Sequence, residues 1–185
     1  MGLVFRAIGA IELISVAKGF SVADGMVKSA DVKLLAARTL CPGKFIVIVA
    51  GQVGAVSSSL EMGLSIGGEA VPDFTSIPNV HPAVFPALMC STELDTMKDL
   101  GVVETMSATS AIEAADAAAK ASKVSLIEIR IGQGMGAKAF LSFSGEISDV
   151  RSALKSARSV VEDRGLLVDA VVISAPDRQL KDAIR

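Results

Sequence analysis

The apolar and polar positions of the first eighty residues alternate between the pattern of strands and the pattern of helices. Apolar runs such as AIGAIELI are typical of buried strands, and the longer segments between them, rich in small residues, are typical of helices. The pattern predicts six elements, in the order strand 7–14, helix 21–30, strand 31–39, strand 44–51, helix 53–67 and strand 70–77. This is the order of a ferredoxin-like sheet with helices packed on it, so the predicted fold class is α/β (α+β).

The same pattern returns in the second half of the chain. Two long segments recur, 7–35 as 100–127, and 43–56 as 137–150 with two extra residues in the turn between them. Matched residues include Gly9 and Gly101, Glu12 and Glu104, Asp24 and Asp116, Lys28 and Lys120, and Lys44 and Lys138. A long internal repeat indicates two copies of one structural unit related by pseudo-twofold symmetry.

We therefore predict two domains, at 1–94 and 95–185. The segment IPNVHPAVFPALMCSTELD joins the copies, and we assign it to the first domain as a bridge. At 185 residues and 51% hydrophobic content, the chain can fill its cores without cross-links.

Composition and charge exclude several kinds of partner. Seven Phe with no Trp or Tyr leave no stacking surface for single-stranded nucleic acid, and a net charge of −2 lacks the basic patch that phosphates require. Arg6 and Glu12 interrupt what would be the apolar core of an export signal, and the uncharged stretches are too short or too polar to span a membrane. We expect no nucleic-acid partner, no membrane, a cytoplasmic location and two reduced thiols.

Both copies resemble the bacterial microcompartment shell domain. The resemblance rests on AIGAIEL, VADGMVKSADVKLL and PGKFIVIVAGQVGAV, echoed later by GVVET, EAADAAAKASKVSL and GAKAFLSFSGEISDV. More narrowly, CPGKF, NVHPAVFPA and IGQGMGAKAF are similar to tandem-domain shell proteins of propanediol-utilisation microcompartments. The resemblance implies a homotrimer that mimics a hexagon, tiles with other shell proteins into a facet, and holds an iron–sulfur cluster at a central pore.

The resemblance also implies which residues form the pore. Both copies would contribute pore-lining residues, namely Cys41, Pro42, Gly43, Gly134, Met135 and Gly136. A threefold axis would gather three Cys41 thiols around one [4Fe-4S] cluster per trimer, with the fourth iron ligand from elsewhere. In the second copy Met135 or Gln133 stands in place of the cysteine. The implied role is electron or cluster transfer across the shell, with a redox enzyme or electron carrier as partner.

Lys28 and Lys120 would lie at the edge of the tile, where similar proteins contact their neighbours. A simpler interpretation is that each is a surface partner of the aspartate four residues earlier. The edge arginine that the family places near Asn79 and Ala175 is absent from both copies.

Three further residues or motifs have ordinary interpretations. Without the resemblance, Cys41 would be a small buried hydrophobe, and we interpret Cys90 as a packed thiol. His81 is expected to order the bridge by hydrogen bonding. The glycines of GQGMG lack the rest of a phosphate-binding loop, and no catalytic constellation stands out, so we expect no enzyme.

Two rival functions are kept beside the redox pore. The first is a purely structural shell tile whose open pore conducts a small metabolite. The second is a trimeric ferredoxin-like regulator that binds an effector between subunits.

Overall fold

The computed structural model describes residues 5–94, 96–132, 134–136 and 138–184. These residues form two compact units, the first made of 5–80 with 132 and 134–136, and the second of 81–94, 96–131 and 138–184. Residues 81–94 of the bridge therefore belong to the second unit, whereas the sequence assigned them to the first domain. Across the described residues, no helix is both long enough and apolar enough to cross a bilayer.

The first unit contains the predicted alternation of strands and helices. Its elements are β1 (Ala7–Leu13), α1 (Val16–Ser29), β2 (Val32–Leu40), β3 (Lys44–Gly51), α2 (Val53–Gly67), a 3₁₀ turn (Gly68–Ala70) and β4 (Asp73–Pro78). The strands lie in the order β2-β3-β1-β4, and every neighbouring pair is antiparallel. This arrangement confirms the ferredoxin-like prediction, because β3 is inserted between β1 and β2.

The second unit repeats this arrangement and adds a helix at each end. Its elements are α3 (Val84–Leu88) in the bridge, β5 (Asp99–Thr105), α4 (Ala108–Ala121), β6 (Ser125–Ile131), β7 (Ala139–Gly145), α5 (Ile147–Glu162), β8 (Leu167–Ile173) and α6 (Arg178–Ile184). The strand order β6-β7-β5-β8 is that of the first unit. The prediction of two tandem copies of one fold is therefore confirmed.

Alternating residues of β3 build the core of the first unit. Phe45, Val47 and Val49 are buried in one cluster, since every second residue of a strand lies on the same face. α1 and α2 pack tightly against this face. A Cβ at Gly63 of α2 would lie 2.6 Å from the Ile11 side chain, so only glycine fits there without a shift in its neighbours.

The start of α1 differs from the prediction. The helix begins at Val16 instead of Ser21, because Ser15 has an extended backbone and its hydroxyl accepts a hydrogen bond from the Lys18 amide at 3.3 Å. A serine at this position satisfies one of the amides that have no partner within the first turn. Ser107 caps α4 in the same way, so the serine cap recurs in both units.

The bridge is anchored on α4 of its own unit. The His81 amide donates to Oδ1 of Asp116 at 2.7 Å, and Lys120 Nζ donates to Oδ2 of the same carboxylate at 2.6 Å. His81 Nδ1 accepts a hydrogen bond from the Ala83 amide at 3.3 Å, which confirms the predicted loop-ordering role. The hydrogen bond between His81 and Asp116 ties the start of residues 81–94 to the second unit.

Cys90 is exposed, so the prediction of a packed thiol is wrong. α3 is only five residues long, and its buried side chains, Val84, Ala87 and Leu88, all precede Cys90. Cys90 follows the helix end in the left-handed region, with φ of 51°. The chain has therefore left the packed face of α3 before it reaches the thiol.

Candidate functional site

The turn that joins β2 to β3 consists of Cys41, Pro42 and Gly43. All three residues are exposed, and Cys41 is a free thiol. The Cys41–Pro42 peptide bond is cis. Gly43 has φ of 71°, and a Cβ there would meet nothing within 4 Å, so the position favours glycine for its backbone conformation and not for lack of space. The thiol stands in an open, glycine-dependent turn at one end of the sheet.

The structure packs this turn against the loop that follows β6. The Cys41 amide donates to the Gly132 carbonyl oxygen at 2.7 Å. Gly132 has φ of 61°, and a Cβ there would lie 2.7 Å from Leu40 Cδ2. Both the backbone conformation and the lack of room for a side chain therefore favour glycine at this position. Loops far apart in sequence, which the resemblance assigned to one pore, are therefore direct neighbours at Cys41.

The remaining predicted pore residues lie in this second loop. Gly134 and Gly136 are exposed, and Met135 is half-buried. Gln133, the other candidate for the position equivalent to the cysteine, lies outside the described residues. Among its described residues this loop therefore offers a thioether and no thiol, whereas iron–sulfur clusters are held by cysteine thiolates.

An ion pair that the sequence did not predict lies beside the Cys41 turn. Lys44, the first residue of β3, places Nζ 3.1 Å from Glu12 Oε2, and the Glu12 side chain is only 1% exposed. Lys138 and Glu104 pair at the same 3.1 Å in the second unit, with 41% and 34% of their side chains exposed. The recurrence of both residues in the repeat is the signal that would have found the pair.

The donor set at Cys41 fits a cluster only if several copies of the chain come together. Among the described residues, no three His, Cys, Asp or Glu side chains converge on a point where a metal ion could bind. Iron–sulfur clusters need thiolate ligands, typically four. At this turn each chain supplies a single exposed thiol, that of Cys41.

The two predicted edge lysines have different surroundings. Lys28 Nζ lies 2.7 Å from Asp24, and these side chains are 72% and 60% exposed. Lys120 Nζ lies 2.6 Å from Asp116, which is 10% exposed and also holds the bridge. Lys28 is therefore free to exchange partners at little cost, whereas Lys120 belongs to a more buried network.

Asn79 and Ala175, near which the resemblance implies an edge arginine, share an unusual backbone. Asn79 and Ala175 both have positive φ, 52° and 45°. The Ala175 amide and the Ser174 hydroxyl donate to Asp99 Oδ1, at 2.8 and 3.0 Å. The hydrogen bond from Ala175 holds the pKa of Asp99 below its ordinary value, with smaller help from Ser174 and from nearby cations. Asp99 thus holds the backbone at Ala175, although no arginine is present at this position.

Comparison with known proteins gives one consistent family. The family model described as the BMC domain matches residues 7–80 and again residues 99–176. The chain is 40% identical over 175 residues to the bacterial microcompartment shell protein PduT of Citrobacter freundii, covering 95% of each chain. A crystal structure of a microcompartments protein from Desulfitobacterium hafniense DCB matches with a TM-score of 0.90 and 44% identity, over 95% of this chain and 98% of that one.

A more distant structure shows the same fold. A fused permuted hexameric shell protein from the RMM microcompartment matches with a TM-score of 0.61 and 24% identity, over 84% of this chain and 81% of that one. Both halves of the chain match the BMC domain, and the two units have the same strand order, so the shell-protein interpretation replaces that of a ferredoxin-like regulator. The chain belongs to the bacterial microcompartment shell proteins, with two BMC domains in tandem.

Proposed function

We propose that three copies of this chain form a pseudohexameric trimer within a shell facet, and that their Cys41 thiolates bind one [4Fe-4S] cluster at the central pore. The observation that carries the proposal is the exposed Cys41 thiol, which stands in a turn that packs against the glycine-rich loop after β6. When bound, the cluster would supply one-electron transfer, so the pore would carry electrons or clusters between cytosol and lumen, exchanged with a redox enzyme or electron carrier.

The neighbours of Cys41 are suited to hold the thiol in place. The hydrogen bond to Gly132 ties the Cys41 backbone to the adjacent loop, and Pro42 restricts the backbone directly after the ligand. The ion pair of Lys44 with Glu12 stabilises the start of β3, where the turn ends. A ligand whose backbone is held on both sides loses little conformational freedom when it binds iron.

In this proposal the protein has no catalytic activity of its own and acts as one tile among other shell proteins. Lys28 is the better candidate for an edge contact, because its present pair with Asp24 is exposed and weak. Lys120 would have to leave Asp116, which also anchors the bridge. In the pseudohexagon, contacts to neighbouring tiles through the first unit, with Lys28, would then be stronger than those through the second unit, with Lys120.

The test is anaerobic purification with visible absorbance and iron and sulfide analysis. We expect a brown wild-type protein with about four irons per three chains. Cys41→Ser should lose iron and colour while the trimer keeps its size, because the change lies in an exposed turn outside both cores. Cys90→Ser is the matched control, since it removes the other exposed thiol, and it should retain the cluster.

Four results would separate the possibilities. If wild type stays colourless even after reconstitution with iron and sulfide, the cluster proposal fails and a passive tile with an open pore remains. If Cys90→Ser also loses iron, the ligand assignment is wrong. If Cys41→Ser loses the trimer together with the iron, the residue is structural. A mass other than three times 19.0 kDa would contradict the trimer itself.

A further inference from the structure

One side of α1 is exposed, although the matching side of α4 is buried. It consists of Phe20, Asp24 and Val27, which are neighbours because residues three and four apart lie together on the surface of a helix. Phe20 and Val27 are 62% and 37% exposed, and the Asp24 side chain is 60% exposed. These three residues are called the α1 flank below.

In the second unit the matching positions are almost completely covered. The counterparts of the α1 flank are Ile112, Asp116 and Ala119, whose exposed fractions are 0%, 10% and 8%. The neighbouring strand differs in the same direction, since Leu126 of β6 is 1% exposed and Leu34, its counterpart in β2, is only half-buried. Something therefore covers this surface in the second unit that is missing from the first.

The bridge supplies this cover. Its helix α3 packs against both α4 and β6, and the His81 amide just before it donates to Asp116. The side chains that α3 buries are Val84, Ala87 and Leu88. In the first unit α1 packs against α2 and its own sheet, and the described residues of that unit include no helix that corresponds to α3.

The segment of the chain that corresponds to the start of the bridge is 177–184, which contains α6. Each of the two segments follows the last strand of its copy, after a residue with positive φ, Asn79 or Ala175. In each, the first side chain accepts a hydrogen bond from the amide two residues later, at 3.3 Å for His81 Nδ1 and at 2.8 Å for Asp177 Oδ1. In this alignment the three buried residues of α3 correspond to three apolar residues of α6, Leu180, Ala183 and Ile184.

α6 lacks the packing that α3 has. None of its residues is buried, and Leu180 is 38% exposed. Ile184 packs with the small core around Leu100 in its own unit. A helix of this length is not stable in water without tertiary packing. The chain thus has an apolar helix flank without a cover, and a matching segment without a buried face.

We propose that residues 177–184 of one copy lie on the α1 flank of a second copy, in the place that the bridge takes on α4. The inference rests on the trimer of the proposed function and specifies which surfaces join its copies. The contact is head-to-tail, so three identical contacts close a ring. In forming it, α6 exchanges the contact of Ile184 with its own unit for burial of its whole apolar face against the neighbour.

Apolar side chains carry this contact. Leu180, Ala183 and Ile184 lie against Phe20 and Val27, and their burial favours the assembled state. At the position of His81 the segment has Asp177, whose carboxylate would lie near Asp24 and repel it. The hydrogen bond that anchors the bridge on Asp116 therefore has no strong counterpart at Asp24.

The experiment joins the two surfaces chemically. Both native cysteines are replaced by serine, and Asp24→Cys and Arg178→Cys are introduced together in the full-length chain. A bis-maleimide links the new thiols: each thiolate adds to a maleimide double bond, a carbon–sulfur bond forms, and the ring carbon takes up a proton from water. We expect linked chains on a denaturing gel, up to covalent trimers.

A matched pair within one chain calibrates the reagent. Asp116→Cys with Pro82→Cys places thiols at the corresponding positions of α4 and the bridge, where the His81 amide already contacts Asp116. The spacer used is the shortest that links this pair, which should link within single chains. Asp24→Cys or Arg178→Cys alone should give no linked chains.

Two further substitutions show whether the apolar face of α6 makes the contact. Leu180→Asp, added to the linking pair, should slow the linking of chains at least about tenfold, because it places a carboxylate in the apolar contact. Gln179→Asp adds the same charge on the neighbouring exposed residue and should change the rate less than about threefold. Folding of every variant is checked by its thermal midpoint, and its mass in solution by light scattering.

Four outcomes would overturn the inference, and they separate it from the proposed function. A trimer in solution without links between chains means that the copies meet through other surfaces, and the trimer itself stands. A wild-type protein with the mass of one chain, 19.0 kDa, overturns both the trimer and this contact. Equal slowing by Leu180→Asp and Gln179→Asp means that the apolar face of α6 is not in the contact. Equally fast linking in a single-cysteine variant means that the links come from random collisions. None of these results depends on iron, so the cluster is tested separately.

Discussion

The ion pair of Lys44 with Glu12 allows a prediction with a control built into the repeat. Lys44→Met keeps most of the length of the side chain but removes its ammonium group and therefore its charge. The Glu12 carboxylate, 1% exposed, would then lose its cationic partner in a place that water does not reach. In the second unit Lys138→Met makes the same change at the same 3.1 Å distance, but Glu104 remains 34% exposed and can be hydrated. The main difference between the two pairs is the burial of the carboxylate.

The expected loss differs several-fold between the two pairs. Removing one partner of a buried pair costs about 3–5 kcal/mol, and we take the lower end, about 3 kcal/mol, because Lys44 is itself 22% exposed. Exposed pairs contribute about 0.2–1 kcal/mol, which sets the loss for Lys138→Met. For a chain of this size these losses correspond to a fall in Tm of about 6–12 °C for Lys44→Met and below about 4 °C for Lys138→Met.

Thermal unfolding at one protomer concentration measures both variants, since the stability of an oligomer depends on concentration. The double variant with Glu12→Gln should recover part of the loss, because a neutral amide is cheaper to bury than a carboxylate that has lost its Lys44 partner. Equal falls in Tm for Lys44→Met and Lys138→Met would refute the reasoning, since burial would then not control the cost. A Lys44→Met variant as stable as wild type would mean that Glu12 is compensated by its other contacts.

Three further predictions rest on matched pairs or on pH. Gly63→Ala should cost about 1–3 kcal/mol by overpacking, whereas Gly54→Ala, on the same helix with open space around it, should be neutral or stabilising by up to about 1 kcal/mol; equal effects in thermal unfolding would contradict this. Asp116→Ala should cost about 1.5–3 kcal/mol through its two hydrogen bonds, and Asp24→Ala under about 0.5 kcal/mol; a smaller loss for Asp116→Ala would mean that the bridge does not need this anchor. Because the pKa of Asp99 is lower in the folded state, the unfolded state takes up its proton first as pH falls, so this contribution is present above the ordinary pKa of 3.8 and is lost below it. The Tm of Asp99→Asn should therefore fall less than that of wild type between pH 5 and pH 3. Identical pH profiles of Tm would refute the lowered pKa of Asp99.

Much of the fold could be predicted because it depends on local pattern. The strands at 7–14 and 44–51 and the helix at 53–67 were placed within a residue of β1, β3 and α2, since their apolar periods are unambiguous. The start of α1 was placed at 21 instead of 16, because the sequence alone does not show that the backbone of Ser15 is extended and that its side chain caps the helix. Cys90 was misjudged because a cysteine is usually buried, and its exposure follows from where the short α3 ends.

By itself the sequence determined the repeat, the order of strands and helices in each copy, and the family, because these depend on residue period and on motifs read along the chain. Only the tertiary structure decided that the Cys41 turn packs against Gly132, that Glu12 is buried while Glu104 is half-exposed, and that the bridge is held by Asp116. Each of these depends on which distant residues meet and how much water they exclude, and matching positions in a repeat carry no such information.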